Sequence, residues 1–360
     1  MRSKSVSLII LMSLMLWTAC DEHPTESTIG IFKWPNSLPE NQGMDGGLLR
    51  TAMEQADELG FVDGLLVIRN GFIVAENYYN QYHKDNPHNI MSVSKSFLSA
   101  ITGLAFEQGY LDSLEHPVLD YFPEYNTDSL DTRKQEITIR HLMTMRMGIP
   151  NEEENYFDIY NSPDWIETTL EWPLEFGPGE RMRYNTFQTH LLSAIITKAT
   201  GMSTMAFAQA VLTDPMGITI HGWEQDPQGY YFGGNAMFFT PREMAVLGYL
   251  YLNGGRISDV QIVPAEWIAL TLKASTNNQP NEWGAWKNYN YAYLWWLGEF
   301  NEYPVFMAYG YGGQFIIVFP DLNMIIVTTA ENQVDPETST IQEWAIFDIV
   351  AGYIIPAVKL

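Results

Sequence analysis

The sequence predicts an α+β fold in which an antiparallel sheet is assembled from both ends of the chain, flanked by helices and interrupted by a mostly helical insert at about 110–234. Three observations predict it. Residues 65–75 are two β-rich runs around Asn70-Gly71, a strong hairpin signal. Residues 315–319 and 324–329 flank Pro320-Asp321-Leu322-Asn323 as a second hairpin. Between the hairpins the periodicity is helical or absent, so the two are expected to meet in one sheet. With 360 residues, 46% of them hydrophobic and 14% aromatic, the chain can bury a large core.

At the N-terminus, Arg2 and Lys4 precede an apolar run over 6–17, short for a membrane span and suited to a signal peptide. Leu16-Trp17-Thr18-Ala19-Cys20 resembles a bacterial lipobox, with Trp17 where an aliphatic residue is usual. Residues 1–20 are thus expected to be a lipoprotein-type signal peptide with lipidation at Cys20. This places the protein in the bacterial cell envelope, at the periplasmic or outer-membrane face, touching membrane only through its lipid anchor. Cys20 is the sole cysteine, so no intrachain disulfide forms. Residues 21–47, rich in Glu, Pro, Asn and Gly, read as a linker, and 48–360 as the folded domain, opening with a helix over 48–59. The formal charge of −24 repels a phosphate backbone, which argues against a nucleic-acid partner.

The stretch 89–98 organises the rest. Ser92 and Lys95 lie three apart, neighbours on a helix surface, and set an alcohol beside a possible base. Asn89 is the expected N-cap, which leaves Ser92 in the first turn, where backbone N–H groups lack intrahelical partners and the dipole is positive. The apolar face of Phe97, Leu98, Ile101, Leu104 and Ala105 continues to a stop at Gly109. Later, Thr240-Pro241-Arg242-Glu243 supplies a capping box for a helix through Tyr251, and 340–354 reads as a closing helix.

Two further segments match this one: Gly177-Pro178-Gly179-Glu180-Arg181-Met182-Arg183-Tyr184-Asn185-Thr186, and Tyr309-Gly310-Tyr311-Gly312-Gly313-Gln314. Together with Arg140-His141-Leu142, Asp226-Pro227-Gln228-Gly229-Tyr230 and Gly233-Gly234, they make the chain resemble the serine β-lactamase and penicillin-binding-protein superfamily. The likeness is to its esterase, class C and nylon-oligomer (6-aminohexanoate-dimer) hydrolase branch. It covers about 48–354 and implies acylation of Ser92, with Lys95 and Tyr184 sharing proton transfer and no cofactor or metal. Thr186 stands at the family's Asn position, keeping a hydrogen-bonding group without the amide. Met307-Ala308-Tyr309 stands where a Lys-Thr-Gly or His-containing equivalent carries a cation. Lys198-Ala199-Thr200-Gly201 is a helix end and not that motif, and Ser258-Asp259-Val260 is not the Ser-Asp-Asn element.

The chemistry can be argued from the residues as well. Ser92 needs a base, and Lys95 serves only if burial or a neighbour holds it neutral; alternatively Tyr184 ionises beside Lys95 and takes the proton. Oxyanion donors are expected from the backbone N–H of Ser92 and from the 310–312 edge, at Tyr311 or Gly310. Candidate substrate contacts are Thr186, Gly312 and Tyr156, although the acidic, aromatic run 151–160 that holds Tyr156 reads first as a solvated loop. The seven histidines show no metal spacing, and no Gly-x-Ser-x-Gly elbow is present. The expected function is an exported serine hydrolase acting on a small-molecule ester or linear amide. Its rivals are a D-amino-acid carboxypeptidase or β-lactamase and, from another class, a silent envelope lipoprotein that binds peptidoglycan.

Overall fold

A computed structural model describes residues 31–154, 156–273 and 281–359. The expected signal peptide, with Cys20, and the start of the linker lie outside them. In chain order the main elements are α1 (Gly46–Leu59), β1 (Val62–Arg69), β2 (Phe72–Tyr78) and α2 (Ser94–Glu107), then α3 (Thr186–Thr200) and α4 (Pro241–Leu252). They are followed by β3 (Glu282–Trp283), β4 (Trp286–Ala292), β5 (Trp295–Phe300), β6 (Tyr303–Gly310), β7 (Gln314–Phe319), β8 (Met324–Ala330) and α5 (Pro336–Ile349).

The strands form one antiparallel sheet in the order β2-β1-β8-β7-β6-β5-β4-β3. The two hairpins meet as expected, with Leu66 opposite Val327 and Ile68 opposite Ile325. Asn70 and Gly71 both take positive φ (53° and 80°), as the primed two-residue turn requires. Successive strand residues point to opposite faces, and each face has its own core. Leu66, Ile68, Ile316 and Val327 pack with α2 and α4, while Leu65, Val67, Ile317 and Ile326 pack with α1 and α5. On the first face Gly248 of α4 comes so close that a Cβ would stand 2.8 Å from the Ile316 side chain.

Three expectations are corrected. The sheet is wider than the two hairpins, because β3–β6 were not read from the sequence. The β4–β5 and β5–β6 turns use Tyr293-Leu294 (φ 41° and 72°) and Asn301-Glu302 (φ 48° and 69°), with no glycine to announce them. The expected linker is shorter than 21–47. Ser37 donates to the Ile73 carbonyl at 3.0 Å, Trp34 Nε1 donates to the Arg242 carbonyl at 3.0 Å, and Met44 is fully buried, so a few apolar anchors tie a polar segment to the domain. The closing helix starts earlier, at Pro336 behind its N-cap Asp335, and ends in a π turn at Val350–Ile354.

Helix α2 is buried from Ser94 through Ala105, so its polar groups need partners inside the protein. Ser96 and Ser99 donate to the carbonyls of Leu294 and Tyr293 at 2.8 Å, and Phe97 stacks on Phe239. The helix is thereby fixed both to the β4–β5 turn and to the short strand Met237–Phe239 that follows the insert.

Candidate active site

Ser92 does not lie within α2, as the sequence suggested, but on a 3-10 turn, Met91–Val93, that leads into it. Met91 takes φ 50°, so the chain turns sharply just before the serine. Asn89 serves this turn in place of capping the helix: its Oδ1 accepts from the Met91 N–H at 3.0 Å. The turn is held by Ser94 Oγ donating to the Met91 carbonyl at 2.7 Å, the Ile90 N–H donating to the Met237 carbonyl at 3.0 Å and Asn332 Nδ2 donating to the Asn89 carbonyl at 3.1 Å.

Lys95, one turn along, is 1% exposed. Its Nζ lies 2.7 Å from Ser92 Oγ, 3.0 Å from Thr186 Oγ1 and 2.7 Å from the Gly234 carbonyl. Burial pulls its pKa down to about 8, against the opposing pull of the Glu152 carboxylate. Tyr184 sits with its ring centroid 4.9 Å from the Lys95 amine, stacked on Trp296 and edge-on to Tyr291. Burial, then Glu152, pushes its phenol well above the usual value, while the Ser92 hydroxyl draws it back. The two candidate bases therefore move in opposite directions, the amine toward neutrality and the phenol away from ionisation.

The Tyr184-Asn185-Thr186 segment enters α3. Asn185 caps that helix through Phe187 N–H, 3.0 Å away, and also donates to the Pro150 carbonyl. Thr186, at the family's Asn position, faces Lys95. The Glu152 Oε2 accepts from both the Thr186 backbone N–H, at 2.8 Å, and the Thr186 hydroxyl.

The third motif closes the site from the sheet side. Gly310 ends β6, paired with Gln314, and a Cβ there would stand 2.6 Å from the Ile90 carbonyl, so glycine lets the strand approach the serine turn. The Gly312 N–H is already engaged by Ser339 Oγ (3.0 Å) and Glu343 Oε1 (3.3 Å). By contrast, among the described residues the backbone N–H groups of Ser92 and Tyr311 have no acceptor. Both residues line a cavity of about 380 Å³ together with Met91, Glu152, Glu153, Tyr156, Phe157 and Thr186. The structure thus brings Ser92, Lys95, Tyr184, Thr186, Tyr311 and Tyr156 together, and keeps Gly310 and Gly312 out of the cavity wall.

The reading of 151–160 as a solvated loop is corrected: its outer side chains face solvent, but Glu152, Glu153 and Tyr156 form a cavity wall. Sequence reasoning gave no role to Glu152 or Gly234. Gly233-Gly234 was noticed as a motif, but a carbonyl used as an acceptor leaves no trace in residue type. Among the described residues no Lys or Arg lines the cavity, and Lys95 stands behind Ser92 and Thr186. Arg183 pairs with Glu175 at 3.0 Å, and Arg242 makes a two-pronged pair with Glu76 at 2.7 and 2.6 Å.

The Beta-lactamase family pattern matches residues 47–351. A 6-aminohexanoate-dimer hydrolase of Paenarthrobacter ureafaciens is 25% identical over 313 residues, covering 79% of this chain and 76% of the relative. Among solved structures, a putative 6-aminohexanoate-dimer hydrolase from Bacillus anthracis superposes with a TM-score of 0.70 at 21% identity, covering 91% of this chain and 89% of that one. EstCE1, a hydrolase with promiscuous acyltransferase activity, gives 0.70 at 16% identity, covering 85% and 98%. At these identities the structures speak to the fold alone.

A base works only when unprotonated, so the Lys95 value sets a pH dependence. Reaction of Ser92 with a fluorophosphonate should be slow at pH 6, rise through a midpoint near 8 and level off above it. Rates measured from pH 6 to 10 check this; a flat profile, or a midpoint near that of a free lysine, would contradict it.

Proposed function

The chain belongs to the Beta-lactamase family of serine hydrolases, and from that premise we propose that it cleaves an ester or linear amide through an acyl-enzyme on Ser92. The observation that carries this reading is the 2.7 Å contact between Lys95 Nζ and Ser92 Oγ at a buried amine. Ser92 Oγ attacks the carbonyl carbon while its proton passes to Lys95, and the N–H groups of Ser92 and Tyr311 receive the developing oxyanion. One such donor is typically worth ~10²–10³ in rate. The leaving alcohol or amine then takes a proton from the Lys95 and Tyr184 pair, and water releases the acid. An acyl group passing through a serine also suits the names of the 6-aminohexanoate-dimer hydrolase relative and of the acyltransferase-active fold neighbour.

The cavity favours neutral substrates over β-lactams and D-alanyl peptides. Both of those carry a carboxylate beside the scissile bond, and a buried carboxylate needs a charged partner. Here, among the described residues, the wall offers Glu152 and Glu153 and no Lys or Arg, and the amine of Lys95 behind it is already bonded to Ser92, Thr186 and the Gly234 carbonyl. The order of residues from Arg2 to Cys20 supports an exported protein anchored by lipid at Cys20.

Replacing Ser92→Ala should abolish fluorophosphonate labelling, read by intact mass, and leave the thermal midpoint nearly unchanged; an adduct on another serine would sink the proposal. On one preparation, nitrocefin should turn over about 10- to 150-fold less efficiently than p-nitrophenyl butyrate, the factor expected for one missing charge-assisted hydrogen bond. Equal efficiency would refute the selectivity argument. In cells, the protein should partition with membranes and Cys20→Ser should release it; a soluble native protein with an unmodified N-terminus beyond Cys20 leaves ordinary secretion.

A further inference from the structure

We infer that Glu152 is a positioning residue which, through the Thr186 hydroxyl, aims the lone pair of Lys95 at Ser92. This rests on the reading of Ser92 as nucleophile and Lys95 as its base. The argument is a count of protons. A neutral amine has two N–H groups and one lone pair, and Lys95 Nζ has three neighbours within hydrogen-bond distance. The Gly234 carbonyl can only accept, so it takes one N–H. A threonine hydroxyl can donate or accept, but the Thr186 hydroxyl gives its single proton to Glu152 Oε2, so toward Lys95 it can only accept. That takes the second N–H. What remains to face Ser92 Oγ is the lone pair, the geometry a base needs to receive the serine proton.

Glu152 is well held for this task. Its Oε2 also accepts the Thr186 backbone N–H at 2.8 Å, at the N-terminus of the 15-residue helix α3, where the dipole favours a negative charge. Thr186 is 2% exposed, so its hydroxyl has no competing bulk water. Gly234 can bring its carbonyl this close because a Cβ there would stand 2.6 Å from Thr186 Cγ2. During acylation the bond from Ser92 Oγ to the carbonyl carbon forms as the serine proton moves to Lys95. The resulting ammonium keeps its bonds to Gly234 and Thr186 and holds the third proton for the leaving group. No proton reaches Glu152.

A glutamine at 152 keeps an oxygen for the Thr186 backbone N–H but loses the charge that holds the hydroxyl proton, which frees that hydroxyl to donate to Lys95. The amine would then turn an N–H toward Ser92. The test is the limiting rate of acylation by p-nitrophenyl acetate and by a fluorophosphonate in Glu152→Gln, Thr186→Val and Thr186→Ser, with thermal midpoints recorded. Glu152→Gln and Thr186→Val should each slow acylation about 10- to 100-fold with KM little changed, the scale of a base working out of line. Thr186→Ser, which keeps the hydroxyl, should recover most of the rate lost in Thr186→Val. The titratable groups facing the amine are Glu152 and Tyr184. Because Glu152 holds the Lys95 pKa up, the rate–pH midpoint in Glu152→Gln should shift to lower pH even as the maximum falls. That shift reports the carboxylate charge near the amine, whereas the difference between Thr186→Val and Thr186→Ser at unchanged KM reports the hydroxyl's orientation, which a helix cap or cavity wall alone would not set. Wild-type rates in Glu152→Gln, or equal rates in Thr186→Val and Thr186→Ser, would overturn the inference while leaving Ser92 labelling intact. Labelling that survives Ser92→Ala would instead remove the reading beneath it.

Discussion

An amine buried at 1% exposure constrains the architecture around it. Holding Lys95 near a pKa of 8 opposes its preference for water by on the order of 3 kcal/mol. That cost is tolerable only where every polar neighbour is fixed. Its partners come from three separate segments: the serine turn before α2, the N-terminus of α3 and the Gly233-Gly234 loop. Each segment is anchored in turn. The serine turn bonds to Met237 and Asn332, α3 is capped by Asn185 and Glu152, and the Gly234 loop is tied to α3 through the fully buried pair of His190 Nε2 and Asp226 Oδ2 at 2.8 Å. A shift in any one would leave the amine short of a partner.

The sheet contributes by joining chain ends that are far apart in sequence. With β1 paired to β8, the strand running into the 310–313 turn stands beside the serine turn, and Gly310 removes the side chain that would keep the two apart. Because α2 is bonded through Ser96 and Ser99 to the β4–β5 turn, the same sheet sets the position of the proposed nucleophile and of the proposed second oxyanion donor.

Features that depend on residue identity were legible in the sequence, and features that depend on backbone atoms were not. Asn70-Gly71, the capping box at Thr240 and the Ser92, Lys95 and Tyr184 triplet carry their chemistry in their side chains, and the structure brings that triplet together. The turns at 293–294 and 301–302 were missed because residues with side chains take positive φ there, a choice made by tertiary packing and not by propensity. Ser92 was placed inside the helix because a spacing of three is the same on a 3-10 turn as on an α-helix, and Met91's left-handed backbone has no sequence signal. Glu152 sat within a run of three glutamates that read as solvated, and only the fold separates the one that reaches Thr186 from its neighbours.

The segment that departs most from the family pattern has its own physical logic. Where a cation would be expected before the glycines, Tyr309 donates to Glu343, a carboxyl whose pKa is raised by burial. Glu343 and Ser339, both on α5, draw the Gly312 N–H away from the cavity, leaving Tyr311 as the residue of that turn whose backbone N–H has no acceptor among the described residues. The same exchange that removes a partner for substrate carboxylates thus supplies an acceptor that shapes the turn. With acid beneath the turn and Glu152 and Glu153 in the cavity wall, the field at the site has the sign of the chain's overall charge of −24. That sign gives the proposed preference for neutral substrates a second support, in the potential that a ligand meets on approach.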